Sequence, residues 1–135
     1  MIDHVSIAVS EIGRSAIFYE RVLACVGLTK MVDHPTTVGY GKRYPEFWIN
    51  LRPGLAPASN DSGMHVCVRA PGIEAVEAFY ATALDNGGIG DGDPGPRADY
   101  GPTYFAAFIR DPDGNRIEAV TFVDMPAVEG LSAAG

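Results

Sequence analysis

Three residues of this 135-residue chain have the chemistry of a metal centre: His4, His65 and Glu118. Two imidazoles and a carboxylate are a recognised donor set for zinc, nickel or iron, and the carboxylate also admits manganese. Three protein ligands leave positions open for water or substrate, so such a site can polarise a bound oxygen. Each residue lies in an apolar stretch that reads as a strand: "DHVSIAV", "MHVCVRA" and "RIEAVTF". Side chains alternate across a strand. Val5, Ile7 and Val9 therefore oppose His4, Ser6 and Ala8. Met64, Val66 and Val68 oppose His65, Cys67 and Arg69. Ile117, Ala119 and Thr121 oppose Arg116, Glu118 and Val120. The first face of each strand is the more apolar and suits a covering helix. The second faces are expected to form one shared polar face that holds one divalent ion. Any one of these residues alone would read as an ordinary solvated strand-end residue.

The elements that must position them repeat. Sliding the chain by 61 residues aligns His4 with His65, Val5 with Val66, Phe18 with Phe79, Tyr19 with Tyr80, Leu23 with Leu84 and Gly27 with Gly88. Both copies run strand, helix, terminal glycine, then further strands. In the first helix Ile12, Ala16, Tyr19, Leu23 and Val26 recur at three and four residues; in the second, Ile73, Val76, Phe79, Tyr80 and Leu84 do. Gly27 and the Asn86-Gly87-Gly88 run stop them. Extended pieces follow at about 29–34, 36–42 and 46–51, and again at about 89–92, 103–110 and 115–123. "RDPDGNR" reads as the hairpin turn before the last strand, with Pro112 and Gly114 suited to it. The Gly/Pro-rich segment 87–103 is expected to be a long loop over a site or a plain connection. The result is an α+β domain over 1–123, built from two βαβββ modules (about 1–54 and 63–123). A small tail, 124–135, is expected to fray.

Net charge is −7, which argues against nucleic acid as partner. Apolar stretches are too short to span a membrane, and no secretory signal is evident. Cys25 and Cys67 form no CxxC pair and read as free thiols of a reducing cytoplasm.

"DHVSIAV", "RSAIFYERVL", "MHVCV" and, most specifically, "FIRDPDGNRIEAV" resemble the vicinal oxygen chelate superfamily. That group includes glyoxalase I, bleomycin and fosfomycin resistance proteins, methylmalonyl-CoA epimerase and extradiol dioxygenases. The resemblance spans roughly Met1 to Val123. It implies a cupped, partly open mixed β-sheet barrel with flanking helices, often with a cleft completed across a homodimer. It also implies His4, His65 and Glu118 as ligands of one divalent ion that chelates vicinal oxygens of a small-molecule substrate, for lyase, isomerase or dioxygenase chemistry. Glyoxalase I has a fourth ligand, a glutamate on the last strand of the first module. Here that strand is "EFWINL", and Asn50 is the expected occupant; asparagine is no general base. No catalytic residue is assigned. Candidate substrate contacts are Trp48, Asn50, Arg69, Tyr100 and Tyr104. The alternative reading is a non-catalytic protein that sequesters an aromatic or cationic small molecule without metal, using Trp48, Phe47, Tyr100 and Tyr104.

Overall fold

A computed structural model of the chain describes residues 1–123; the tail at 124–135 lies outside them. The first module comprises β1 (Val5–Val9), α1 (Ile12–Ala24), β2 (Thr29–Asp33), β3 (Thr37–Gly41) and β4 (Pro45–Leu51). The second comprises β5 (Val66–Arg69), α2 (Ile73–Asp85), β6 (Ile89–Pro96), β7 (Tyr104–Arg110) and β8 (Arg116–Phe122). The modules share one topology. The sheets run β1-β4-β3-β2 and β5-β8-β7-β6. β1 pairs parallel with β4, and β5 with β8; the other pairs are antiparallel. The α+β class and the two βαβββ modules are thus as expected. Hydrogen bonding keeps the strands in two four-stranded sheets.

Each helix covers one face of its sheet. Helix α1 buries Phe18, Tyr19, Val22 and Leu23; α2 buries Val76, Phe79 and Ala83. These join Ile7, Val9, Phe47, Ile49, Ile109 and Ile117 in one core shared by both modules. Burying a side chain of this kind stabilises by roughly 1.5–3 kcal/mol. The helices also touch: Arg21 Nη1 donates to Asn86 Oδ1 at 2.6 Å.

Both helices end in the same glycine cap. Leu28 N–H reaches Leu23 C=O at 3.0 Å around Gly27 (φ 88°). Gly88 N–H reaches Ala83 C=O at 2.8 Å around Gly87 (φ 96°). Only glycine takes these angles without strain. The cap glycine that matches Gly27 is therefore Gly87, and the pairing with Gly88 expected from the 61-residue offset is off by one.

The segment expected as a loop over 87–103 is half strand. β6 runs Ile89–Pro96 against β7, with register breaks between Gly90, Gly92 and Gly95. Specific partners impose order on it: Asp91 pairs with Arg116 at 2.9 Å, Tyr80 OH donates to Asp93 Oδ1 at 2.9 Å, and Arg97 Nη2 donates to Asp93 C=O at 2.7 Å. Glycines weaken a strand pattern locally, and bulges hide its alternation. At the other end of the chain, β1 starts at Val5, so His4 immediately precedes the strand.

The DPDGN turn does more than reverse the chain. Asp113 Oδ1 accepts from Ser10 Oγ at 2.5 Å, and Asp113 Oδ2 accepts from Ser10 N–H at 3.0 Å. Arg14 Nη2 stands 3.4 Å from the same carboxylate. Asn115 Nδ2 donates to Ala8 C=O at 2.9 Å. Asp111, 1% exposed, accepts from Tyr19 OH at 2.7 Å. The turn that opens the Glu118 strand is thereby fastened to β1 and α1 of the first module.

Candidate functional site

The second module brings two of the three expected ligands together. Parallel pairing sets Cys67 opposite Glu118. His65 stands one pleat before Cys67 and so shares the face of Glu118. His65 Nε2 lies 2.9 Å from Glu118 Oε1. The Glu118 side chain is almost wholly buried, at 3% exposure, whereas that of His65 keeps 42%. A buried carboxylate needs its lone pairs satisfied. Tyr104, at the start of β7, supplies the second donor: its hydroxyl donates to Glu118 Oε2. Phe108, directly opposite Glu118 in the β7–β8 register, packs its ring 5.7 Å from that of His65.

Two neighbours of Glu118 keep their protons. Burial, then the hydrogen bond and charge of Glu118, raise the Tyr104 phenol well above its ordinary value. The Cys67 thiol is pushed up to about 12, chiefly by burial and then by the Glu118 charge. Cys67 as a residue is exposed, but its sulfur lies against this desolvated carboxylate. Beside that carboxylate it is held as a neutral thiol.

The remaining candidates are placed as follows. Arg69 lays its guanidinium 4.7 Å over the Phe122 ring. Tyr100 is 63% exposed and meets Tyr104 edge-on at 5.2 Å. Asn50 Oδ1 accepts from Thr37 Oγ1 at 2.7 Å. The register also moves the fourth-ligand equivalence. Trp48 stands opposite Ser6, as Glu118 stands opposite Cys67. Ser6 and Cys67 are repeat partners, so Trp48 is the counterpart of Glu118, and Asn50 lies one pleat beyond. Phe108 went unrecognised in the sequence because its facing of Glu118 depends on the β7–β8 register.

His4 is not beside His65 and Glu118. It is on the other module, with Nδ1 2.7 Å from Asp3 Oδ1. It lines a cavity of about 350 Å³ with Lys42, Glu46 and Arg69, whereas His65 lines another of about 260 Å³ with Ser59, Met64 and Asn115. Among the described residues, no three His, Cys, Asp or Glu side chains converge on one point. Within the described residues His4 thus stands apart from the His65–Glu118 pair, although its cavity is also lined by Cys67 and Arg69 of the second module. The two βαβββ modules carry one of these histidines each, immediately before β1 and before β5.

The glyoxalase/bleomycin resistance protein/dioxygenase superfamily model matches residues 1–119. The chain belongs to that superfamily. A probable lactoylglutathione lyase from Synechocystis sp. is 31% identical over 123 residues, covering 87% of this chain and 92% of the relative. The crystal structure of a glyoxalase/bleomycin resistance protein from Albidiferax ferrireducens superposes with a TM-score of 0.76 at 30% identity, over 87% of this chain and 96% of that one. A glyoxalase I mutant from Zea mays shares the fold at a TM-score of 0.68 and 22% identity, over 87% of this chain and 45% of that one.

Superfamily members typically use a divalent metal, and the donors here can be tested against that. Two ligands at 2.0–2.1 Å from a tetrahedral ion stand roughly 3.3 Å apart. The His65–Glu118 pair, at 2.9 Å, would need to open by only a few tenths of an ångström. Imidazole and carboxylate suit zinc, nickel, iron or manganese. The pair fits as two of the three ligands of such a centre.

Proposed function

We propose that this superfamily member is a metal-dependent enzyme of glyoxalase type, acting on a small molecule that presents vicinal oxygens. Its centre is assembled from His65 and Glu118 of one copy and His4 of a second. The observation that carries the reading is the buried Glu118 carboxylate, held between His65 and Tyr104. A buried carboxylate costs stability unless it is fully paired and hydrogen-bonded, so its retention here supports a role in holding a cation. Here one of its two side-chain partners is half-exposed and itself a ligand type. His4 is half-exposed as well and sits on the complementary module. A twofold dimer that lays one copy's second module over the other's first would build two identical centres. A divalent ion bound there would supply Lewis-acid polarisation of substrate oxygens.

This chain's own residues do the rest. Tyr104 fixes one oxygen of Glu118 and leaves the other toward His65. Phe108 packs against the His65 ring, and the Tyr104 hydroxyl holds Glu118 from the other side. Trp48 occupies the fourth-ligand place and cannot accept a proton. This separates the chain from a route that shuttles a proton through a carboxylate there. Lyase-type chemistry is favoured by the 31% identical relative, itself named as a probable lactoylglutathione lyase.

The test is metal content of untagged protein by mass spectrometry, for wild type, His4→Ala, His65→Ala and Glu118→Gln. Stoichiometric metal in wild type, lost in each variant, supports the centre. Equal mixing of the His4→Ala and Glu118→Gln proteins then tests its assembly. Half of the randomised dimers would be mixed, each with one intact site of two, restoring about a quarter of the wild-type content. A mixture that stays empty places the site within one chain. A wild type that stays empty under metal titration sinks the metal reading and leaves the sequestering alternative.

A further inference from the structure

A metal centre leaves one residue without a purpose: an indole stands where the repeat would place a ligand. We propose that Trp48 is the specificity platform of the site, stacking a flat aromatic ring carried by the ligand. The substrate class is then an aromatic compound with two vicinal oxygens. The chelating half of that statement rests on the function proposed above; the stacking half needs no metal.

The geometry begins at Gly39, which faces Trp48 across the β3–β4 pair. A Cβ built on Gly39 would lie 2.9 Å from Trp48 Cζ3 and 3.0 Å from both Cε3 and Cη2. An edge-on ring would leave the two flanking atoms much farther away than the middle one. Near-equal distances mean that the ring lies face-down on the glycine. Gly39 is not among the positive-φ glycines, so its backbone does not demand glycine. The close approach of the indole does.

One face of the indole is thus spent on Gly39. On the other side of Trp48 the neighbouring strand β1 presents Ser6 opposite it, and Ser6 is exposed. Phe47 and Ile49, the flanking residues of β4, point into the core and are 2% and 0% exposed. Trp48 points away from that core and is only half-buried. A flat, partly exposed ring on a small-residue floor suits stacking better than it suits core packing. The opposing half-site is aromatic as well, with Phe108 against His65 and Tyr104 on Glu118.

The chain has one tryptophan, so its fluorescence reports on this ring alone. Benzohydroxamic and acetohydroxamic acid offer the same pair of oxygens and differ by a phenyl ring. Titrated into metal-free wild type, the benzo compound should quench Trp48 saturably and the aceto compound should not. With metal added, both should bind more tightly, the benzo compound roughly tenfold better. In Trp48→Leu that preference, read by calorimetry, should fall to within about twofold, while acetohydroxamate affinity is unchanged. Gly39→Ala, which lifts the ring, should lower the preference too. Equal affinities in wild type, or a preference that survives Trp48→Leu, overturns the proposal. A preference for the phenyl compound with no effect of metal sinks the metal centre and leaves the platform standing.

Discussion

Tyr19→Phe removes one oxygen and nothing else. The ring is 0% exposed and packs 5.0 Å from the ring of Phe47, so its apolar contacts survive. The loss is a donor to Asp111 Oδ2 at 2.7 Å. Asp111 is 1% exposed, so water cannot take the vacated place without opening the turn. Asp111 retains Asn115 Nδ2 and the backbone N–H groups of Asp113 and Asn115, at 2.8–2.9 Å. A hydrogen bond to a charged group contributes about 1.5–3 kcal/mol. With three donors left, the expected loss is about 2 kcal/mol. For a domain of this length that lowers Tm by roughly 6–10 °C. The pH dependence follows from burial, which raises the Asp111 carboxyl above its ordinary 3.8, opposed by the Tyr19 hydrogen bond. The native state therefore holds a proton that the unfolded state has lost, over the window between the two values. Stability falls as pH rises through that window and is level above it. Removing Tyr19's hydroxyl raises the native value further and widens the window. The gap between wild type and variant should be full at neutral pH and shrink on acidification. Urea unfolding at neutral pH and at the acid end of the folded range measures it. A neutral-pH difference under about 0.5 kcal/mol, or a gap that grows in acid, would refute the reasoning.

Other outcomes are expected from the same structure. Gly41→Ala would set a Cβ 1.8 Å from Tyr44 C=O, a backbone atom that cannot step aside; it should cost several kcal/mol (about 3 or more) or prevent folding, seen as lost cooperative melting. Gly13→Ala, in α1 with nothing within 4 Å, should instead stabilise by up to about 1 kcal/mol in the same assay. In a Cys25→Ser background, alkylation of Cys67 should quicken about tenfold per pH unit with no plateau until near its value of about 12; a plateau below pH 9 would contradict its burial against Glu118. Tyr104→Phe leaves Glu118 with one fewer donor and should weaken metal binding by about tenfold or more, read as a smaller metal-induced rise in Tm; an unchanged rise would remove Tyr104 from the centre.

Much of this molecule is legible in local pattern. Strand alternation put Val5, Ile7 and Val9 on the core side, and helix periodicity marked Tyr19, Leu23, Val76 and Phe79. The 61-residue offset carries both helices into register, at Ile12–Ala24 and Ile73–Asp85. What failed was whatever depended on an irregular count. Bulges disguised β6 as a loop, and one extra residue before the first cap misaligned its glycine. Asn50 seemed the fourth-ligand place because alternation fixes a face but not which pleat. Only the Ser6–Trp48 pairing chose between Trp48 and Asn50.

Sequence by itself determined the two βαβββ modules, the α+β class and the faces on which His65 and Glu118 lie, because side-chain period is set by local backbone geometry. Tertiary structure decided what no local rule contains. It joined His65 to Glu118 and left His4 on the other module. It also turned the DPDGN motif into a fastening on Tyr19 and Ser10. Those contacts span 53 to 103 residues of chain, and a strand's period carries no information on which distant strand it will meet.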